Sequence, residues 1–320
     1  MCARRQIVCT ALMVVLALIG EWSIADPETS PTGNAAYLAE IKQWRKDRES
    51  ALAAKNGWLT VAGLFFLKPG RNTFGSLSSN DVVLPPSVPA RAGWFDVRQG
   101  RVFGQLEPGV RATFNEKPVQ SGVEVELKDA DDLGGKDALV LGPLKLFVHM
   151  SGERLAIRLL NEESALRKGF TNLNWFPIDE AYRVVAHFVP FESPKSVEVP
   201  NIIGDVERYT SPGTLIFTVQ DREYRLEPFQ VGKAEAARFF IVFKDLTSGK
   251  ETYGAARFVY AKLPQAGTTV IDFNRAYNPP CAYNSFTTCP LPLPANRLNV
   301  RILAGERRYL PHAQPDRRSK

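Results

Sequence analysis

The chain has 320 residues, which is long enough for two domains of ordinary size. Hydrophobic residues make up 44% and charged residues 23%, a composition that is typical of a globular protein and excludes a disordered chain. The formal net charge is +6, but Lys and Arg are interspersed with Asp and Glu. Without a basic stripe or a nucleic-acid-binding motif, we expect no nucleic-acid partner.

Residues 1–25 have the pattern of a secretory signal peptide. Arg4 and Arg5 precede an apolar run, and Ser23 and Ala25 then supply the small residues of a cleavage site. The run is short for a membrane-spanning helix, although an uncleaved anchor is the alternative. We predict cleavage after Ala25 and export, so that the protein would be periplasmic or secreted. No later run is long and apolar enough to predict a transmembrane segment in the mature chain.

Residues 26–57 are predicted to form a polar leader followed by one amphipathic helix. Asn34 is suited to cap the N-terminus of this helix, and Gly57 is suited to stop it. Apolar side chains recur at helical spacing, so that one face is predicted to be buried. The residues near that face are Leu38, Ile41, Trp44 and Leu52.

Residues 58–165 change to short segments with a β pattern, separated by Pro, Gly, Asn and Asp, which is typical of a sandwich or barrel. The segments NTFGSLSSNDVVLP and ATFNEKPVQSGVEVELKDADDLGGKDALVLGPLKLFV resemble strands of the forkhead-associated β-sandwich. The resemblance implies that fold for this region.

The residues with which forkhead-associated domains bind phosphothreonine are different here. Ser76 follows Gly75 where that family has Arg, and Ala90 stands in the place of its His. Glu116 follows Asn115 where the family has Gly, and its carboxylate would repel a phosphate, which needs converging cationic and hydroxyl donors. We therefore expect the sandwich without the phosphopeptide site.

Residues 166–306 form a second β-rich region, for which roughly eight strands suit either a closed barrel or a second sandwich. Two hairpins stand out, GTLIFTVQDREYRLEPFQV with a turn near Asp221 and FFIVFKDLTSGKETYGAARFVYAKL with the turn DLTSG. Residues 307–320 are predicted to form a basic tail.

Motifs of known catalytic and cofactor sites are absent from the sequence, and no cofactor or metal is predicted. Histidine is scarce, and His149 and His187 each lie alone in a strand pattern. A lone His on a strand more often packs or lies at a rim than catalyses a reaction.

Polar residues gather at the end of the strand TTVIDF. Because side chains alternate along a strand, Asp272 and Asn274 are predicted to share one face. If the preceding hairpin strand pairs with this one, Arg257 can contact Asp272, with Arg275 as a competing partner. Such a pair could orient a polar or anionic ligand, or it could be a buried structural pair.

The stretch DFNRAYNPPCAYNSFTTCPLPLPANR, residues 272–297, is a proline-rich loop with little conformational freedom. A pre-ordered loop suits a ligand lid, because binding then costs less ordering entropy. Tyr277 and Tyr283 are predicted to cover a ligand or to pack the loop onto its own domain. In an exported protein, Cys281 and Cys289 are predicted to form a disulfide, with a metal site or a redox pair as alternatives.

The segment DFNRAYNPPCAYNSFTTCPLPLPANRLNVRILAGE resembles the C-terminal signature of domain-of-unknown-function family 1684, from bacteria and archaea. GWLTVAGLFFLKPGRNTFGS and FKDLTSGKETYGAARFVYA resemble its other hallmarks. The resemblance implies a family and neither an activity nor catalytic residues.

Together these observations predict a mainly β protein with one N-terminal helix, a forkhead-associated-like sandwich and a second β-barrel or sandwich domain. The leading hypothesis is non-catalytic binding of a small polar or anionic ligand by the C-terminal β domain. One alternative is a hydrolase with Asp272 as general base, and another is an envelope protein-protein interaction module with an unknown partner. The predicted ligand-binding residues are Arg257, Asp272, Asn274, Arg275, Tyr277 and Tyr283.

Overall fold

A computed structural model describes residues 31–310, apart from 130–132 and 134–136. The predicted signal peptide and residues 311–320 of the predicted tail lie outside the described residues. Within the described part, the protein is mainly β, with several sheets and one long helix at its start. No helix of this part is long and apolar enough to cross a membrane.

The helix α1, Pro31–Ala53, confirms the predicted N-terminal helix, but it begins before Asn34, so Asn34 is not its cap. The predicted face is buried at Ile41 and Leu52 and partly buried at Leu38 and Trp44. Ile41 and Leu52 have almost no solvent exposure. The helix ends before Gly57, where the chain folds back so closely that a Cβ atom would lie 2.3 Å from the Leu52 carbonyl oxygen. Only glycine can be placed this close to the helix backbone. Gly57 therefore lets the chain turn away from the end of the helix toward the first strand.

The first β region comprises strands β1–β11, which form two sheets that pack against each other. The six-stranded sheet has the order β1-β11-β10-β9-β6-β7, and the five-stranded sheet has the order β3-β2-β4-β5-β8. Phe74 and Phe95 of one sheet stack at 4.7 Å between ring centroids and share a core with Leu146 and Ile157 of the other. This arrangement is a β-sandwich; the forkhead-associated label stays a prediction. The strands are β1 Val61–Phe66, β2 Gly70–Gly75, β3 Val82–Val83, β4 Gly93–Arg98, β5 Arg101–Leu106, β6 Thr113–Phe114, β7 Lys117–Pro118, β8 Val125–Leu127, β9 Leu139–Leu141, β10 Leu144–Ser151 and β11 Arg154–Asn161.

The second β region comprises strands β12–β18, preceded by the short helix α2, Ala165–Lys168. It contains a four-stranded sheet, β14-β13-β12-β18, and a three-stranded sheet, β15-β16-β17. The two sheets share one core, in which Phe273 contacts Phe217 of one sheet and Phe243 of the other. The strands are β12 Arg183–Pro200, β13 Val206–Val219, β14 Arg222–Leu226, β15 Phe229–Val231, β16 Arg238–Phe243, β17 Arg257–Lys262 and β18 Thr268–Asp272.

Both predicted hairpins of this region are confirmed. Strands β13 and β14 pair antiparallel across a two-residue turn, in which Gln220 and Asp221 have φ of 50° and 57°. A turn with two positive φ values matches the twist of the flanking strands. Strands β16 and β17 also pair antiparallel, and the segment that contains DLTSG connects them.

Polar contacts join the two β regions beside the β10–β11 turn. Arg154 Nη2 lies 2.8 Å from Asp205 Oδ2, and the Ser151 hydroxyl donates to the same oxygen at 2.6 Å. Asn201 Nδ2 donates to the Ser151 hydroxyl oxygen at 3.1 Å. These contacts hold the β12–β13 hairpin against the first β region.

Single-turn 3-10 helices complete the secondary structure of the described residues. They are Trp58–Thr60, Glu180–Tyr182, Ala234–Ala236, Phe273–Arg275, Pro280–Ala282 and Pro294–Asn296. Two of them lie in the proline-rich loop with Pro at the first position, where its fixed φ suits a helical turn.

Candidate functional site

The structure places Arg257 in the core, with no solvent exposure. Its Nη1 donates to the Ile302 carbonyl at 3.0 Å and lies 3.4 Å from Asp245 Oδ2, while Nη2 donates to the Ala304 carbonyl. The predicted contact with Asp272 is not formed, because β17 and β18 belong to different sheets. Arg257 is therefore half of a buried structural pair, which was the alternative to ligand binding.

Asp272, Asn274 and Arg275 are brought together, but around the N-terminal helix. The Tyr37 hydroxyl donates to Asp272 Oδ1 at 3.0 Å, and Asn274 Nδ2 donates to the Tyr37 oxygen at 2.9 Å. Arg275 Nε lies 3.6 Å from Asp272 Oδ2, and its Nη2 contacts Glu40. Burial, reinforced by the Asp272 carboxylate, raises the pKa of the Tyr37 hydroxyl. These contacts hold α1 against the end of β18, and all three residues take part in them.

Tyr277 and Tyr283 point inward and brace the proline-rich loop. The Arg48 guanidinium of α1 lies 4.2 Å from the Tyr277 ring centroid, and its Nη2 donates to the Asn278 carbonyl at 3.0 Å. The Tyr283 hydroxyl donates to Glu306, which is fully buried. Of the two predicted roles for these tyrosines, the structure shows the packing of the loop.

Cys281 and Cys289 are neighbouring free thiols in the structure, so the predicted disulfide is not formed here. The two sulfur atoms are not at disulfide distance, and the Cys281 backbone N–H donates to Cys289 Sγ at 3.2 Å. A hydrogen bond from the Cys289 thiol, supported by the Tyr253 hydroxyl, lowers the pKa of Cys281. Burial raises the pKa of Cys289.

This difference predicts an order of thiol reactivity. Cys281 is half-buried and has the lowered pKa, whereas Cys289 is buried. Since the thiolate is the nucleophile, iodoacetamide should alkylate Cys281 faster than Cys289 by about an order of magnitude or more. Peptide mapping by mass spectrometry after timed labelling measures both rates. Equal rates, or faster labelling of Cys289, would show that Cys281 is not the more reactive thiol.

A cavity of about 420 Å³ lies between the two β regions. Strands β10 and β11 supply one wall, strands β13 and β17 another, and the proline-rich loop closes a third side. None of the six predicted ligand-binding residues lines it, although Cys289 does. Its lining residues are Trp58, Asp129, His149, Met150, Arg158, Glu207, Tyr209, Phe258, Tyr260, Pro280, Thr287, Thr288, Cys289 and Pro290.

Arg158 is the cation of this cavity and is only 5% exposed. Its Nη2 makes one long contact, 3.5 Å, with the Thr288 hydroxyl, and its Nε has no hydrogen-bond partner. The guanidinium lies 5.7 Å from the Trp58 ring centroid. Within the described part of the chain, no carboxylate lies at ion-pair distance from it. Burial lowers the pKa of Arg158 to about 10, so the side chain is still charged at neutral pH.

His149 lies beside Arg158 and shares its hydroxyl partner. His149 Nε2 is 3.0 Å from Thr288 Oγ1, and either atom can be the donor, depending on the imidazole tautomer. Burial and the charge of Arg158 lower the pKa of His149 to about 3, so the ring is neutral at physiological pH. A hydroxyl beside a histidine resembles a nucleophile and its base, but an imidazole this weakly basic would accept the hydroxyl proton poorly.

Glu207 is a fixed anion of the same cavity. Its Oε2 accepts from the Tyr209 hydroxyl at 2.8 Å, and its Oε1 accepts from Asn201 Nδ2 at 3.3 Å. Tyr209 in turn stacks on Phe229 at 4.6 Å between ring centroids. Both contacts to Glu207 are with neutral donors, and no cation of the described residues lies at ion-pair distance from its carboxylate.

The family model for a protein of unknown function (DUF1684) matches residues 168–307. Residues 168–307 therefore belong to the DUF1684 family. An uncharacterized protein of Haloarcula marismortui, solved by solution NMR, is 33% identical over 46% of this chain and 81% of that chain, with a TM-score of 0.39. No curated protein matches the chain.

The DUF1684 match covers only part of the cavity. Glu207, Tyr209 and Thr288 lie inside the matched residues, whereas His149 and Arg158 lie before them in the first β region. DUF1684 is a family of unknown function, so the match by itself implies no activity. The sequence did contain one signal of the site, because Arg158 interrupts the otherwise apolar run LAIRLL, and a charged residue there is rarely buried without a reason.

Proposed function

We propose that the cavity between the two β regions binds a small ligand through an anionic group, without catalysing its conversion. The observation that carries this proposal is the Arg158 guanidinium, which is buried, charged and without an anionic partner among the described residues. A buried cation without a counter-ion is costly. A ligand carboxylate placed against Arg158 and the Thr288 hydroxyl would satisfy it with charge-assisted hydrogen bonds.

Comparison with Arg257 supports a binding role for Arg158. Arg257 is also buried and also has an unbonded Nε, but Asp245 and two backbone carbonyls compensate its charge. Arg158 has one hydroxyl at 3.5 Å instead. The buried charge of Arg257 is compensated within the fold. The buried charge of Arg158 lacks an ion-pair partner among the described residues, and a ligand anion would supply one.

The surroundings of Arg158 favour binding over hydrolysis. His149 is neutral and too weakly basic to activate Thr288 near neutral pH. Asp272, the predicted general base, does not line the cavity and is occupied with Tyr37 and Arg275. On the signal-peptide pattern of residues 1–25, we further propose that the protein is exported and meets this ligand outside the cytoplasm.

Replacing Arg158 by Met should weaken carboxylate binding strongly and leave the fold intact. Loss of hydrogen bonds to a charged group weakens affinity by about 1.5–3 kcal/mol, or roughly tenfold to 150-fold. Because the replacement removes an unpaired buried charge, the free energy of unfolding without ligand should stay equal or rise by about 0–2 kcal/mol. Isothermal titration with acetate, butyrate and benzoate measures binding, and urea denaturation measures stability.

Two further variants sharpen this test. Arg158→Lys keeps the charge and should retain part of the affinity, whereas Arg225→Met, at an exposed arginine that does not line the cavity, should bind like the unchanged protein. If Arg158→Met binds carboxylates as well as Arg225→Met does, the proposed site is wrong. If Arg158→Met is strongly destabilised, the arginine is structural.

A further inference from the structure

Two side chains of opposite charge line the cavity without pairing with each other. Arg158 feels the charge of Asp129 and, as a smaller effect, that of Glu207, yet Arg158 and Glu207 are not at ion-pair distance. Opposite charges in a shared, partly desolvated space attract each other strongly. Their separation therefore has to be maintained by the surrounding structure.

Each charge is held in place by its own wall. Arg158 extends from β11 in the first β region, where its guanidinium lies 5.7 Å from the Trp58 ring centroid and its Nη2 lies 3.5 Å from the Thr288 hydroxyl. Glu207 lies on β13 and is held by Tyr209 and Asn201. Asn201 is itself fixed, because its Oδ1 accepts from the backbone N–H groups of residues 203 and 205 at 3.1 Å each.

Carboxylates as well as a cation line the cavity. Arg158 is its cation, His149 is neutral, and Glu207 and Asp129 are carboxylates, the latter accepting from the Met150 N–H at 3.1 Å. A ligand with two negative charges, such as a phosphate monoester, would bring a second anion close to these carboxylates. A ligand that brings its own cation would instead compensate Glu207.

Aromatic rings complete the wall around these charges. Tyr209, Phe258 and Tyr260 line the cavity from β13 and β17. The faces of such rings attract ammonium groups, most strongly where water is excluded. The volume of about 420 Å³ is within the usual range for a small-molecule site.

We propose that the ligand is a zwitterion of the amino-carboxylate class, an amino acid or a close relative. Its carboxylate binds Arg158 and Thr288, and its ammonium group binds Glu207 beside the aromatic rings. The inference rests on the proposed function, since it names the ligand class of the same cavity. It makes Glu207 the residue that selects zwitterions over simple acids.

Charge-matched compounds of one chain length test the inference on the full chain. Isothermal titration compares γ-aminobutyrate and α-aminobutyrate with butyrate and butylamine. At least one amino acid should bind about tenfold or more tightly than butyrate, because it gains a charge-assisted contact. Glu207→Gln keeps an acceptor for Tyr209 and should remove that advantage while leaving butyrate binding in place. Glu198→Gln, at an exposed carboxylate on the neighbouring strand, should leave the advantage unchanged.

The outcomes separate the inference from the proposed function. If butyrate binds and neither amino acid binds more tightly, the zwitterion inference is wrong and the carboxylate site stands. If the advantage persists in Glu207→Gln, the role of Glu207 is wrong. If none of the four compounds binds the unchanged protein, both the inference and the proposed function fail. The comparison within the unchanged protein decides the ligand class even if a variant fails to fold.

Discussion

Replacing Arg257 by Ala is expected to lower the free energy of unfolding by about 3–5 kcal/mol, because it leaves a buried charge without its partner. Asp245 would keep the Ile302 N–H at 2.7 Å and the Thr247 hydroxyl at 2.7 Å but lose the cation. The carbonyls of Ile302 and Ala304 would lose their donors at the same time. Urea denaturation followed by circular dichroism measures the change.

Arg275→Ala is the matched control for this variant. Its ion pairs with Glu40 and Asp272 are partly exposed, with 31% of the Arg275 side chain accessible. Such pairs contribute about 0–1 kcal/mol. Because Arg275 does not line the cavity, carboxylate binding should be unchanged in this variant. If both arginine variants lose the same stability, the buried ion pair of Arg257 stabilises the fold no more than the partly exposed pairs of Arg275 do.

Arg257 shows which features of this protein can be predicted from sequence patterns and which cannot. The mainly β class, the buried face of α1 and the turn at Asp221 are local features, set by side-chain period and turn chemistry, and the sequence predicts them. The sequence predicts Asp272 as the partner of Arg257, because the strands that carry these two residues follow each other closely in the chain. Its actual partner, Asp245, is also close in sequence, but only the assembly of the sheets decides which carboxylate it meets.

The cavity depends on contacts that no local pattern contains. Thr288 is 139 residues from His149 and 130 residues from Arg158. A strand pattern states which side chains share a face, and it does not state which faces of two β regions will meet. The prolines predict a pre-ordered loop, but this loop lines the cavity with Pro280, Thr287, Thr288, Cys289 and Pro290 rather than with its tyrosines.

The buried carboxylate of Glu306 holds the proline-rich loop through side-chain and backbone hydrogen bonds. Glu306→Ala should therefore lower the free energy of unfolding by about 3–5 kcal/mol. Its carboxylate accepts from the Asn278 N–H at 3.1 Å, from Asn278 Nδ2 at 2.8 Å and from the Tyr283 hydroxyl. It also lies 3.7 Å from Arg48 Nε. All these buried donors would lose their acceptor together, which urea denaturation would detect. A loss below about 1 kcal/mol would show that water replaces the carboxylate.

Glu306→Gln should cost less than Glu306→Ala, and its cost should depend on pH. Burial raises the pKa of Glu306 above its usual 4.5, despite the opposing effects of Arg48 and the hydrogen-bond donors. A carboxyl group with a raised pKa in the folded state contributes stability that is present below its unfolded pKa and is lost as the pH rises through the folded pKa. Glutamine does not titrate, so the stability difference between the unchanged protein and Glu306→Gln should shrink as the pH rises from about 4 through the raised folded-state pKa of Glu306. Urea denaturation of both proteins across this range measures the trend. A difference that grows with pH would mean that Arg48 and the surrounding donors outweigh burial, and that the loop is held by an ionised rather than a protonated Glu306.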